Sequence, residues 1–163
     1  MNSGRVLIMG VILILALCKI GFPAEVGEKC PTFLLKAMDG KEIQSERIKS
    51  NNPLFLLFWS TWCPGCKDKI SKLKKISSQF ASKGLQVLAV NVGINDSPEK
   101  VKRFIKKYRI DYPVAIDEGS HVTKLFRIQG IPTVVIIDKK GIIRYRAHEI
   151  PQNLTVLCES LTE

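Results

Sequence analysis

Two cysteines separated by two residues, Cys63 and Cys66, are the strongest candidates for chemistry in this chain, in the run Trp62-Cys63-Pro64-Gly65-Cys66. That spacing puts two sulfurs within disulfide reach. The run lies between the apolar stretch Leu54–Trp59 and a lysine-rich amphipathic segment, so it reads as a strand feeding a helix with both thiols at the helix start. The free N–H groups and positive dipole end of such a helix favour the thiolate of Cys63. Pro64 suits the first helical turn, where its missing N–H costs nothing. Gly65 leaves the approach to Cys63 open. Cys63 is therefore the expected nucleophile, and Cys66 the thiol that resolves a mixed disulfide formed there. No cofactor is required, because the redox equivalents sit on the two sulfurs. A structural zinc site, the rival for this spacing, needs four ligands. Cys30 and Cys158 stand alone, and neither His121 nor His148 has a partner at ligand spacing, so no metal is expected.

The flanking pattern supplies the elements that must hold the thiols. Residues 24–31 read as a linker. Residues 33–38 and 41–44 flank Asp39-Gly40, a dipeptide that favours a hairpin turn. Residues 45–52 are polar, a loop or a short helical turn. Leu54–Trp59 is continuously apolar, the pattern of a strand covered on both faces. After the dithiol, Ile70, Leu73, Ile76 and Phe80 recur at helical spacing up to Gly84, with Lys67, Lys69, Lys72, Lys74 and Lys75 expected on the other surface. Residues 85–92 read as a second buried strand. Ser97-Pro98-Glu99 opens a helix whose apolar stripe is Val101, Phe104, Ile105 and Tyr108. A short strand at 112–116, a brief helix at Val122, Leu125 and Phe126, and a hairpin of Thr133–Ile137 with 142–146 follow. The last helix starts near Pro151 and buries Leu154, Leu157, Cys158 and Leu161. Strands alternating with helices, then a closing hairpin and helix, imply an α/β layer fold around a mixed sheet.

The 163 residues suffice for one domain with a proper core. The formal charge is +10, of which residues 1–24 hold only Arg5 and Lys19; the rest reads as a solvated lysine coat, with an acidic partner or an anionic membrane surface as the alternative. No nucleic-acid motif occurs. Arg5 followed by the uncharged, largely apolar residues 6–18 fits the core of an export signal and is shorter than the roughly 20 residues of a spanning helix. Residues 1–24 are thus a signal peptide or an N-terminal membrane anchor, and 25–163 the folded domain. Ala24 suits a cleavage site, Leu15-Ala16-Leu17-Cys18 approximates a lipoprotein box, and an uncleaved anchor is the third option.

With Phe58-Trp59-Ser60-Thr61-Trp62-Cys63-Pro64-Gly65-Cys66 and, far downstream, Gly130-Ile131-Pro132-Thr133, the chain resembles the thioredoxin superfamily, most of all its exported TlpA/ResA-like thiol-disulfide oxidoreductases. The resemblance implies a thioredoxin-like fold: a central mixed β-sheet flanked by helices, with an N-terminal β-hairpin and an inserted strand–helix unit at about residues 85–116. It implies a cis peptide at Ile131-Pro132 facing the disulfide, and a groove in which the backbone of Ile131 pairs with an extended substrate segment. Trp62, Pro64, Ile131 and Pro132 would then border the substrate. The implied partners are protein thiols and disulfides, apocytochrome c among them, and a membrane thiol reductant of the DsbD/CcdA type that recharges the pair.

Two positions depart from the family pattern. Leu57 stands where thioredoxins carry a buried acid, and Lys69 where many TlpA-like proteins carry a glutamate. A cation at Lys69 is expected to lower the Cys63 pKa and make the couple more oxidising than in relatives with that glutamate. The alternatives are a thiol peroxidase, whose Pro-x-x-x-Thr-x-x-Cys pattern neither Cys63 nor Cys66 satisfies, and a copper-binding module, which typically has a three-residue gap between its cysteines. Cys158 falls on an apolar helix stripe and reads as a buried structural thiol; a Cys30–Cys158 bridge would suit an oxidising compartment. Asn153-Leu154-Thr155 matches a glycosylation sequon, and His121 and His148 read as surface or turn residues.

Overall fold

A computed structural model describes residues 24–46 and 52–162. Residues 1–23 of the proposed export segment, with Arg5 and Cys18, lie outside the described residues. Among the described residues no helix is long and apolar enough to cross a membrane.

The fold is built on β3 (Leu54–Trp59), every residue of which is buried. It is the middle strand of a five-stranded sheet ordered β5-β4-β3-β6-β7. One neighbour, β4 (Gln86–Asn91), runs parallel to it, and β5 (Val114–Ile116) runs parallel to β4. On the other side β6 (Thr133–Ile137) and β7 (Ile143–Ala147) are antiparallel. The parallel pairs require crossover helices, supplied by α1 (Pro64–Phe80) and α2 (Pro98–Tyr108). The short α3 (His121–Leu125) precedes β6, and α4 (Leu154–Thr162) closes the chain.

Alternation along β3 splits the apolar side chains into two cores. Phe55, Leu57 and Trp59 face α1, meeting Cys66, Ile70 and Leu73. Leu54, Leu56 and Phe58 face the opposite core with Cys30, Phe33 and Phe126. The helix signals read from sequence are used: Ser97 Oγ accepts from Lys100 N at 3.3 Å to cap α2, and Gly84 adopts φ +79 after α1.

Where the structure differs from the sequence reading, pairing is the reason. The expected strand 33–38 narrows to β1 (Leu34–Lys36), paired with β2 (Glu42–Gln44). Beyond it the chain turns to the main sheet: Ala37 bridges to Ala115, and Met38 N donates to Val114 O at 2.8 Å. The β7 strand begins one residue late because Ile142 belongs to the Asp138 turn, donating to Asp138 Oδ1 at 2.8 Å. Residues 24–31 are no simple linker. Gly27 N and Cys30 N donate to Ile143 O and Gly141 O, both at 2.8 Å, and Lys29 bridges to Ile142, so this segment lines the outer side of β7.

Candidate active site

The dithiol forms at the end of β3, where the chain leaves the sheet centre. Cys63 is the N-cap of α1 and Pro64 its first residue. Cys63 and Cys66 are joined in a disulfide with a Cα–Cα separation of 5.3 Å, inside the normal range. Cys63 is 3% exposed and Cys66 fully buried. Cys63 thus keeps a small exposed surface at the helix N-terminus, while Cys66 faces the core.

A hydrogen-bonded turn that sequence reasoning missed holds this junction. Asp96 Oδ2 accepts from Thr61 N at 2.8 Å and from Asn91 Nδ2 at 2.7 Å, and its Oδ1 accepts from the Thr61 hydroxyl. Asn91 ends β4, so the carboxylate ties the two central strands together one residue before Trp62. The Trp62 indole N–H donates to Ile94 O at 2.7 Å, which fixes the half-exposed ring beside Cys63.

The Ile131-Pro132 peptide is cis, as the resemblance implied. It lies opposite the dithiol turn: a Cβ placed on Gly65 would stand 3.6 Å from Pro132 Cδ, so the two segments pack in ordinary contact. Ile131 and Pro132 are both partly exposed. Thr133 Oγ1 donates to Gly130 O at 2.6 Å, and His148 Nδ1, 2.7 Å from Pro132 O, must be the donor because a carbonyl only accepts. His148 is exposed, as expected, and it also braces the proline loop, a role its lone position in the sequence does not signal. The structure therefore brings Trp62, Cys63, Pro64, Cys66, Ile131 and Pro132 to one end of the sheet.

Lys69 was expected on the solvated face of α1, yet it is 7% exposed. Its ammonium lies 2.6 Å from Glu149 Oε2 and 3.7 Å from Asp68 Oδ2, and Asp68 also pairs with Lys72 at 2.9 Å. The Lys69 cation is thus part of an ion pair. Cys30 and Cys158 belong to the two different cores and form no bridge with each other. Burial pushes the Cys158 thiol up to about 11. Among the described residues no group of three His, Cys, Asp or Glu side chains is placed to hold a metal ion. A cavity of about 750 Å³ lined by Met38, Ile105 and Tyr112 lies between the β1–β2 hairpin and α2, away from the dithiol.

Comparison with known proteins agrees with this geometry. Residues 26–146 match the AhpC/TSA family model. The thiol-disulfide oxidoreductase ResA of Bacillus thuringiensis subsp. konkukian is 30% identical over 152 residues, covering 86% of each chain. A solution structure from Neisseria meningitidis, provisionally assigned as a thioredoxin, superposes with TM-score 0.70 at 31% identity over 80% of this chain and 85% of that one. Another from Bacteroides thetaiotaomicron, provisionally assigned as a protein disulfide isomerase, has TM-score 0.75 at 23% identity, covering 86% and 92%, and shares the fold.

Proposed function

Because the chain belongs to the AhpC/TSA family, on a thioredoxin-like fold and among ResA-like thiol-disulfide oxidoreductases, we propose that it reduces protein disulfides outside the cytoplasm. The observation that carries the reading is the Cys63–Cys66 disulfide at the start of α1, against the Ile131-Pro132 loop. In the reduced protein the Cys63 thiolate attacks one sulfur of a partner disulfide. The other partner sulfur leaves as a thiolate and takes up a proton. Cys66 then loses its proton and attacks the Cys63 sulfur, releasing the second partner thiol and leaving the Cys63–Cys66 disulfide. Two electrons have passed from this protein to its partner. Trp62, Pro64 and Pro132 border the incoming segment, and the backbone of Ile131 pairs with it.

Arg5 and the apolar residues 6–18 support export, with the domain held at the membrane or released from it. Apocytochrome c is the proposed partner, and a membrane thiol reductant of the DsbD/CcdA type restores the dithiol. The test is the reduction potential of Cys63–Cys66, measured by alkylation across thiol–disulfide buffers. A value below roughly −200 mV supports a reductant, and one near −120 mV points instead to disulfide formation. No transition at all retires disulfide exchange. Where the potential supports a reductant, Cys66→Ser should accumulate a mixed disulfide between Cys63 and apocytochrome c.

A further inference from the structure

A polar cavity of about 480 Å³ opens behind the proline loop, between that loop and the outer side of β7. Its walls carry Arg127, Arg146 and His148, with Gly130 and Thr133 from the loop itself and Glu25 as the one acid. Arg146 stands opposite Val135 in the β6–β7 register, on the sheet face away from α1. Its guanidinium is held by two neutral acceptors, Ala24 O and Arg127 O, each at 2.9 Å. A guanidinium has five donors, so those bonds orient the group while leaving N–H capacity and the whole charge. Among the described residues no carboxylate pairs with it. His148, locked by its Nδ1–H bond to Pro132 O, joins this cavity directly to the proline loop.

We infer that this cavity is a specificity subsite that takes an aspartate or glutamate side chain of the substrate segment docked on the proline loop. The inference rests on the exchange reaction proposed above. A segment extended along residues 130–132 advances about 3.3 Å per residue, so a side chain two positions from the one at Ile131 lies about 7 Å along it, within reach of the cavity that Gly130 and Thr133 line on either side of Ile131-Pro132. There a carboxylate meets an oriented guanidinium, and charge-assisted hydrogen bonds to Arg are the strong and directional kind. The preferred substrates are therefore disulfides whose cysteine has an acidic residue nearby in an extended stretch.

The experiment uses the full chain, reduced beforehand, and disulfide-linked peptides blocked at both ends so that no terminal carboxylate competes. The peptides differ only in carrying Glu, Gln or Lys two residues from the cysteine, on either side. The Glu peptide should react about two- to fivefold faster than the Gln peptide on one side of the cysteine, with Lys slowest, and high salt should compress the ratio. Arg146→Gln and Arg127→Gln should each bring the Glu-to-Gln ratio towards one. Arg127 is exposed, so its variant tests the idea even if Arg146→Gln unfolds. Lys83→Gln, in the short turn just beyond the C-terminus of α1, should keep the native ratio. A native ratio of one overturns the subsite, as does a ratio that survives both arginine variants, which would assign it to overall charge. If the native chain reduces none of the peptides, the exchange reaction itself fails and the subsite falls with it.

Discussion

Lys69 and Glu149, eighty residues apart in sequence, meet at 2.6 Å beside the dithiol helix. Lys69 is one helical turn from Cys66 on the same buried stripe, and residues at that spacing have Cβ atoms about 5–6 Å apart. Glu149 comes from the loop after β7, where Tyr145 OH donates to its backbone carbonyl at 2.8 Å. The buried cation one helical turn from Cys66 is thus a balanced one.

Lys69→Glu replaces that balance with two carboxylates facing each other. Negative charge near the helix start disfavours the Cys63 thiolate, so the Cys63 pKa should rise and the couple become more reducing. The rate of alkylation against pH reads the shift. An unmoved Cys63 titration would show that charge at position 69 does not reach the dithiol.

Glu149→Gln leaves the buried ammonium with Asp68 at 3.7 Å as its remaining acid partner. Losing one partner of a fully buried pair costs about 3–5 kcal/mol. The Glu149 side chain is 74% exposed, so solvent screening brings the expected loss to about 1–2 kcal/mol in urea unfolding. Adding Lys69→Met to that variant should recover most of it, because the stranded charge is gone. A double variant no more stable than Glu149→Gln would contradict this.

Asp96→Ala removes the acceptor shared by Thr61 and Asn91. Hydrogen bonds to a charged group contribute about 1.5–3 kcal/mol, and the Thr61 N–H loses its partner. We expect a loss of about 2 kcal/mol in urea unfolding, within that range. Disulfide exchange should slow as well, because Trp62 follows Thr61. Unchanged exchange kinetics would confine the network to stability.

Stability should decline in alkali. Burial, joined by the charge of Asp111, raises the Tyr112 phenol well above its ordinary 10.0, and burial raises the Cys158 thiol from 9.0 to about 11. Above those ordinary values the unfolded chain gives up protons that the folded chain keeps, and this favours unfolding. The Cys158 contribution is complete below pH 9 and is lost progressively between pH 9 and 11, while the Tyr112 contribution is complete below pH 10 and declines from there upward. Tyr112→Phe should flatten the upper part of that slope, while forfeiting about 1 kcal/mol for the Tyr112 OH–Ile70 O hydrogen bond at 3.0 Å. Urea midpoints across that pH range check both expectations.

The parts legible in the sequence were those with a local pattern. Leu54–Trp59 declares its two-sided burial by being apolar throughout, and Ile70, Leu73, Ile76 and Phe80 declare the inner face of α1. Lys69 was misplaced because a lysine in a lysine-rich helix carries no sign of a partner eighty residues away. Asp96 and His148 escaped for the same reason, since Asp96 reaches Thr61, 35 positions away, and His148 reaches Pro132, 16 positions away. Residues 24–31 look like a linker because isolated bridges to the outer side of β7 leave no periodicity. The cis step at Ile131-Pro132 was accessible by family likeness, while spacing alone carried no sign of it.

The position of β3 has a consequence for how the molecule loosens. Both edges of that strand are hydrogen-bonded and both its faces are covered, so its amides are released only when the whole domain opens. In deuterated buffer the amides of Leu54–Trp59 should therefore be among the last to exchange, and those of the two-stranded β1–β2 hairpin among the first. The thiol pair grows from the slowest-exchanging ground in the protein, so changing its oxidation state should leave those six amides on the global clock.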